Sequence, residues 1–277
     1  MSERYLILGA SGTVGRRVLA TMKGLGHAVK GASRRNGGPG DVRFDLLEPS
    51  TYAPALADVS TVMLISRPGD EEAHLHAEPF VEAMVRHGVA RVVVLSALGA
   101  ERRVEFSLHN VETLVERSGL GWTHVRPNFF MQMLALPPLS TEIATRSTLS
   151  LPLGDAKVAY VDADDVAAVL VRALIDPSLS GQGLDVSGPR ALGHDEVAAL
   201  VSRQVGREIR YVPLDEESAQ RLLGLRGLSP AHVERVLRFY ALTRQGWCAT
   251  PDATVSQLLG RPLGTFEAFV VANATAW

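Results

Sequence analysis

The sequence predicts an α/β fold: a doubly wound parallel sheet followed by a smaller C-terminal region. Two observations carry this. Short apolar runs bounded by turn residues alternate with helical stretches through the first half of the chain, as expected of strands buried on both faces by crossover helices. The first of these runs leads directly into a glycine-spaced turn and a helix start. With 277 residues, 46% hydrophobic and 21% charged, the chain can bury one large core or one and a half domains.

The first strand covers residues 4–9 and ends in Gly9-Ala10-Ser11-Gly12-Thr13-Val14-Gly15. Gly9 lets the chain turn sharply, Gly12 lets backbone approach an anion, and Gly15 lets the next helix pack closely, because none of them carries a Cβ. The N–H groups of Ser11, Gly12, Thr13 and Val14 are then expected to face the pyrophosphate of a dinucleotide at a helix N-terminus. The spacing is Gly-x-x-Gly-x-x-Gly, a departure from the commoner Gly-x-Gly-x-x-Gly. The strand before it and the helix after it therefore carry the assignment to a Rossmann-type site.

The second strand is His27 to Ser33. A site for NAD normally places an acid near the end of this strand to hold the ribose 2′-hydroxyl. No acid occurs between Glu3 and Asp41, and Ser33, Arg34 and Arg35 stand there instead. A guanidinium can pair bidentately with a 2′-phosphate, so the expected cofactor is NADP(H). The same two arginines also suit a solvated loop, since Asn36-Gly37-Gly38-Pro39-Gly40 follows them.

Further strands are expected at Val42-Arg43-Phe44, Thr61 to Ile65, Arg91 to Ser96 and Trp122 to Arg126, the last ended by Pro127. A helix runs from about Phe106 to Ser118 and stops at Gly119. From Phe129 to Gly154 the pattern loosens. A short strand, Val158 to Val161, then precedes a helix whose start carries Asp162, Asp164 and Asp165, acids that suit a helix N-terminus. Gly183 to Gly188 reads as another strand and His194 to Gly206 as an amphipathic helix. Residues 215–246 read as two helices broken near Gly224-Leu225-Arg226-Gly227, a hairpin that suits a lid, core packing or a homodimer surface.

Composition narrows the function classes. The net charge of −2 offers no basic stripe for nucleic acid, although arginine outnumbers lysine 25 to 3. One cysteine, Cys248, excludes an intramolecular disulfide and a cysteine-rich zinc site, and reads as a buried structural thiol. His74 and His76 are two residues apart and point to different helix faces, so no metal is expected. No membrane span or leader segment is read from the sequence, and a reducing cytoplasm is the expected compartment.

Several segments together carry a family resemblance: the glycine turn, Leu95-Ser96-Ala97-Leu98-Gly99-Ala100, His109-Asn110-Val111-Glu112 with Ser118-Gly119-Leu120, and Thr123 to Gln132. Val158 to Val166 and Val186-Ser187-Gly188-Pro189 extend it. On these segments the chain resembles the atypical short-chain dehydrogenase/reductases of the NmrA-like group, which includes quinone reductases, ergot-alkaloid dehydrogenases and ketone reductases of secondary metabolism. The resemblance implies that Asp45 and Leu46 flank the adenine, and that Ser66 and Arg67 lie beside the ribose and phosphates. It further implies that Ser96 and Ala97 border the nicotinamide, and that Pro127, Asn128 and Phe129 close over its end. Residues 1–128 and about 155–180 would form the NADP-binding domain, and 129–154 with 181–277 the substrate-binding region. Leu, Phe and Met in residues 128–139 and 215–242 suit a bulky, largely apolar small molecule, and suit core packing equally.

One departure stands out. Typical members of the wider superfamily use a Tyr with a Lys four residues on to protonate the substrate oxygen. The residues four after Tyr5, Tyr52, Tyr160, Tyr211 and Tyr240 are Gly9, Leu56, Asp164, Asp215 and Arg244, so that pair is absent. Hydride transfer to a ketone still needs a proton, which an iminium acceptor would not. His109, at the helix start where the family tyrosine would sit, Ser96, water, and a neighbouring hydroxyl of the substrate itself are the sources considered. The reading is an NADPH-dependent ketone, quinone or iminium reductase. Its rival is a non-catalytic NADP(H)-sensing regulator.

Overall fold

The computed structural model describes residues 3–35, 38–67, 69–251 and 254–277. Asn36 and Gly37 of the glycine-rich loop lie outside them. The chain runs β1 (Arg4–Leu8), α1 (Gly15–Gly24), β2 (Ala28–Ser33), β3 (Val42–Arg43), α2 (Tyr52–Leu56), β4 (Thr61–Ile65), α3 (Ala73–Arg86), β5 (Arg91–Leu95), α4 (Ser107–Arg117) and β6 (Gly121–Pro127). It continues through α5 (Leu139–Arg146), β7 (Thr148–Leu151), α6 (Ala163–Ile175), β8 (Gln182–Val186), α7 (His194–Val205), β9 (Arg210–Pro213), α8 (Glu216–Leu225), α9 (Pro230–Arg244), α10 (Val255–Leu259) and α11 (Phe266–Ala272).

Two compact units result. The first comprises 1–127 and 163–186, the second 128–162 and 187–277. The return of the chain to the first unit, expected at about 155–180, thus runs over 163–186. The reason is pairing: β8 adds to β6 in parallel, from Thr123 opposite Gln182 to Pro127 opposite Val186.

The first unit is a seven-stranded sheet in the order β3-β2-β1-β4-β5-β6-β8, every pair parallel. The central strands Tyr5-Leu6-Ile7-Leu8, Val62-Met63-Leu64 and Val92-Val93-Val94-Leu95 are buried on both faces, which is why they read as unbroken apolar runs. By the two-residue period, Leu6, Leu8, Val62, Leu64, Val92 and Val94 share one face, where they pack with Phe80 and Met84 of α3 and Val111 and Val115 of α4. On the other face α1 packs against α6. The order reverses between β1 and β4, so the carboxyl ends of these strands bound the crevice where such sheets bind ligands.

The second unit holds the departures from the expected elements. Residues 158–161 form no strand. Val158 N–H bonds the Leu192 carbonyl, Ala159 N–H that of Cys248 and Val161 N–H that of Phe129, three separate partners where a ladder needs one neighbour. A parallel pair, β7 with β9, forms where no strand was expected. Helices α8 and α9 pack on each other as the expected hairpin. Cys248 is buried, and burial pushes its thiol up to about 11. No described helix is long and apolar enough to cross a membrane.

Candidate active site

The glycine turn after β1 is built as its residue types require. Gly9 has φ +64°, in the left-handed region. A Cβ on Gly15 would lie 2.2 Å from the Gly9 carbonyl oxygen and 2.7 Å from its carbon, so this position admits only glycine without moving backbone. Gly12 differs in one respect from the expectation. Its N–H donates to the Gly9 carbonyl at 2.8 Å, closing the turn, and so is not offered to an anion. The N–H groups of Ser11, Thr13 and Val14 make no hydrogen bond among the described residues. They stand ahead of α1, which has no side-chain cap and no acid in its first turn. Three open amides on a helix N-terminus fit a pyrophosphate.

Arg17 braces this loop. Its Nη1 donates to the Thr13 carbonyl at 2.7 Å and its Nε to Asp164 Oδ1 at 2.5 Å. Asp164 therefore does more than favour the start of α6: it fixes the arginine that braces the glycine turn. Sequence reading missed this pair because 147 residues separate its members.

At the end of β2, Ser33 Oγ donates to the Arg35 carbonyl. Arg34 and Arg35 are exposed and make no ion pair among the described residues. The nearest downstream acid, Asp41, is engaged elsewhere. It accepts from Gly31 N–H at 2.9 Å, Gly38 N–H at 3.0 Å and Lys23 Nζ at 3.2 Å. The end of β2 thus presents guanidinium and no free carboxylate. Asp45 accepts from Leu47 N–H at 3.0 Å and from Arg67 Nη2 at 2.7 Å, and these bonds hold its carboxyl below the usual range. Leu46 is fixed by its carbonyl, which accepts from the buried Tyr52 hydroxyl at 2.6 Å.

Ser66, just past β4, and Ser96, just past β5, each carry a buried Oγ with no hydrogen-bond partner among the described residues. A buried hydroxyl left without a partner costs free energy unless a ligand supplies one. Both lie at the carboxyl ends of adjacent central strands, the edge at which Gly9 also turns. Ser96 N–H bonds the Val125 carbonyl at 2.8 Å and Leu98 N–H that of Pro127 at 3.0 Å, which fixes Ala97 between them. The open amides, the two orphan hydroxyls and the Cβ-free turn together fit a bound dinucleotide.

His109 sits in the first turn of α4 with Nδ1 2.9 Å from the Ala100 carbonyl. That bond puts the neutral ring's hydrogen on Nδ1, so only the imidazolium has one on Nε2. Glu112, three residues further on, is not its partner. Glu112 is buried and holds Arg126 through two bonds, at 2.9 and 2.6 Å. Glu112, Glu116 and His124 do bring ligand atoms within 4.8 Å of one another. The Arg126 guanidinium on Glu112 already neutralises that group, which makes it an ion-pair network better than a cation site.

In the second unit, Asn128 is buried and fully engaged. Its Nδ2 donates to Ser187 Oγ at 3.1 Å and to the Cys248 carbonyl at 3.0 Å, and its Oδ1 accepts from Phe129 N–H at 2.8 Å. Its side chain pins the segment that carries Phe129, whose ring lies 5.0 Å from that of Phe239 and 6.1 Å from that of Tyr160. A cavity of about 510 Å³ opens in this unit, lined by Met131, Tyr160, Leu192 and Phe266 together with Arg190 and Glu267, which pair at 2.5 Å.

Beside it, His194 is buried with Nε2 2.8 Å from the Tyr160 hydroxyl, and burial pushes its pKa down to about 4. The unfolded ring titrates near 6.5. The unfolded chain therefore binds a proton that the native chain refuses, and stability falls as pH drops from about 6.5 to about 4, by roughly 3 kcal/mol across that window. We expect melting temperature to decline over this range in wild type and to decline less in His194→Gln. Equal acid sensitivity of the two would remove His194 from this account.

Comparison with known proteins identifies the family. The NAD(P)H-binding family matches residues 9–177. An NAD(P)H azoreductase of Xenophilus azovorans is 31% identical over 98% of this chain and 98% of its own. An NADPH-dependent quinone oxidoreductase of Escherichia coli, solved with NADPH, superposes with a TM-score of 0.84 at 21% identity, covering 97% of this chain and 99% of its own. The negative transcriptional regulator NmrA, solved with NADP, superposes with a TM-score of 0.75 at 15% identity, covering 98% and 94%. The chain belongs to the NAD(P)H-binding family, and proteins similar to it in sequence include oxidoreductases.

Proposed function

We propose that this protein is an NADPH-dependent reductase that transfers hydride to a ketone, quinone or iminium in a bulky, largely apolar small molecule. The observation that carries the proposal is the pair of buried, unpartnered hydroxyls, Ser66 and Ser96, at the edge of the sheet that also presents open amides and unpaired arginines. The reduced nicotinamide supplies the hydride when bound. Ser11, Thr13 and Val14 hold the pyrophosphate, Arg34 and Arg35 the 2′-phosphate, and Arg67, held by Asp45, the adjoining ribose and phosphate. Ser96 Oγ orients the reacting end. Support for a bulky acceptor comes from the cavity of about 510 Å³ in the second unit, a volume suited to drug-sized ligands, and from the names of the azo and quinone reductases among the similar proteins. Similarity to a regulator keeps a cofactor-sensing role as the rival reading.

Deuterium at the transferring position of NADPH separates the two. With a ketone acceptor, a reductase slows by a primary isotope effect and delivers the label to the carbinol carbon of the product. A regulator binds the cofactor and returns it with the label in place.

A further inference from the structure

The cavity of about 510 Å³ is lined by residues of the second unit alone, and its lining is of two kinds. Most of it is apolar. Tyr160 and Phe266, both buried, set their rings 5.9 Å apart at 43°, and Met131 and Leu192 add aliphatic surface. An aromatic wall takes up an apolar body and also attracts positive charge, because the ring faces carry the negative part of the quadrupole.

The polar part of the lining has the same preference. Arg190 donates through Nη2 to Glu267 at 2.5 Å and through Nη1 to Glu196. Glu196 lies in the first turn of α7 and Glu267 in that of α11, where the helix dipole favours a carboxylate. The Glu267 N–H and the Arg190 guanidinium hold the Glu267 carboxyl below the usual range, so it is ionised at neutral pH. One guanidinium shared between two carboxylates leaves the cluster negative. His194 at the start of α7 does not offset this, since burial pushes its pKa down to about 4 and the ring is neutral, and Asp195 beside it adds to the negative charge. An anionic ligand reaching Arg190 has to displace a carboxylate and bring a third negative charge to the guanidinium. A cation offsets the excess and leaves both ion pairs in place. The three side chains are about half exposed, so water screens the cluster, and its charge selects among ligands whose apolar body supplies most of the affinity.

We propose that this cavity binds an organic cation, an apolar ring-bearing molecule whose ammonium or iminium nitrogen lies between the aromatic wall and Glu267. The site belongs to the second unit and needs no part of the first. Of the acceptors proposed above, the iminium carries this charge. That link rests on the reductase reading; the binding does not.

The test is calorimetric binding to the full chain without cofactor, using three naphthalene probes. One is the cation naphthylmethyltrimethylammonium, one its neutral isostere with carbon in place of nitrogen, and one the anion naphthylacetate. The cation should bind on the order of 10-fold more tightly than the anion. Glu267→Gln should weaken the cation about 5-fold, whereas Arg190→Gln, which leaves two carboxylates without their counter-charge, should tighten it about 3-fold. The neutral isostere should stay within about 2-fold of its wild-type affinity in both variants, since its binding rests on the apolar wall. An ion pair that only holds α7 and α11 together would shift the cation in the same direction in both variants and take the neutral probe with it. That result would overturn the proposal, as would tighter binding of naphthylacetate or no binding of the cation at millimolar concentration. A protein that binds the probes in the expected order and consumes no NADPH with any acceptor keeps this site and loses the reductase reading.

Discussion

Gly15→Ala is expected to weaken NADPH binding on the order of 100-fold, because the added Cβ meets backbone. It would stand 2.2 Å from the Gly9 oxygen, 2.7 Å from the Gly9 carbon and 3.1 Å from Ala10 Cα. No rotamer relieves such a clash, so either the helix start or the loop must move. Overpacking of this kind costs about 1–3 kcal/mol, and 1.4 kcal/mol is about tenfold in affinity. Any shift also rotates the amides of Thr13 and Val14 away from the phosphate position. Gly24, at the other end of α1, provides the contrast, since a Cβ there meets nothing within 4 Å. Gly24→Ala should leave affinity unchanged and hold or raise the melting temperature. Fluorescence titration with NADPH reads both variants, and similar Kd values for the two would remove Gly15 from the phosphate cradle.

The second large effect concerns selectivity. Arg34→Ala with Arg35→Ala should weaken NADPH about 100-fold and leave NADH within about 3-fold, since each charge-assisted bond to a phosphate is worth roughly 1.5–3 kcal/mol and NADH offers no phosphate there. The prediction is sharpened by Asp41, the nearest downstream acid, whose carboxylate is already engaged by Gly31 N–H, Gly38 N–H and Lys23. Equal losses for NADPH and NADH would show that the two arginines are only solvated loop residues.

What could be read in advance was what depends on local pattern. The central strands were legible because burial on both faces leaves them continuous and apolar, and the glycine turn because Gly9 and Gly15 answer local geometric demands. The end of β2 was legible through an absence, that of an acid before Asp41. Features made by long-range pairing were not legible. Arg17 meets Asp164, and Glu112 meets Arg126, only once the sheet has closed. Residues 158–161 have the composition of a strand, but their N–H groups go to three separate partners.

The central claim is tested most directly by absorbance at the reduced-nicotinamide band, with purified protein, either NADPH or NADH, and a panel of polycyclic ketones, quinones and iminium compounds. This account predicts acceptor-dependent loss of the band with NADPH and far slower loss with NADH. Tight binding of NADPH with no loss across the panel would contradict it and leave a cofactor-sensing protein in its place.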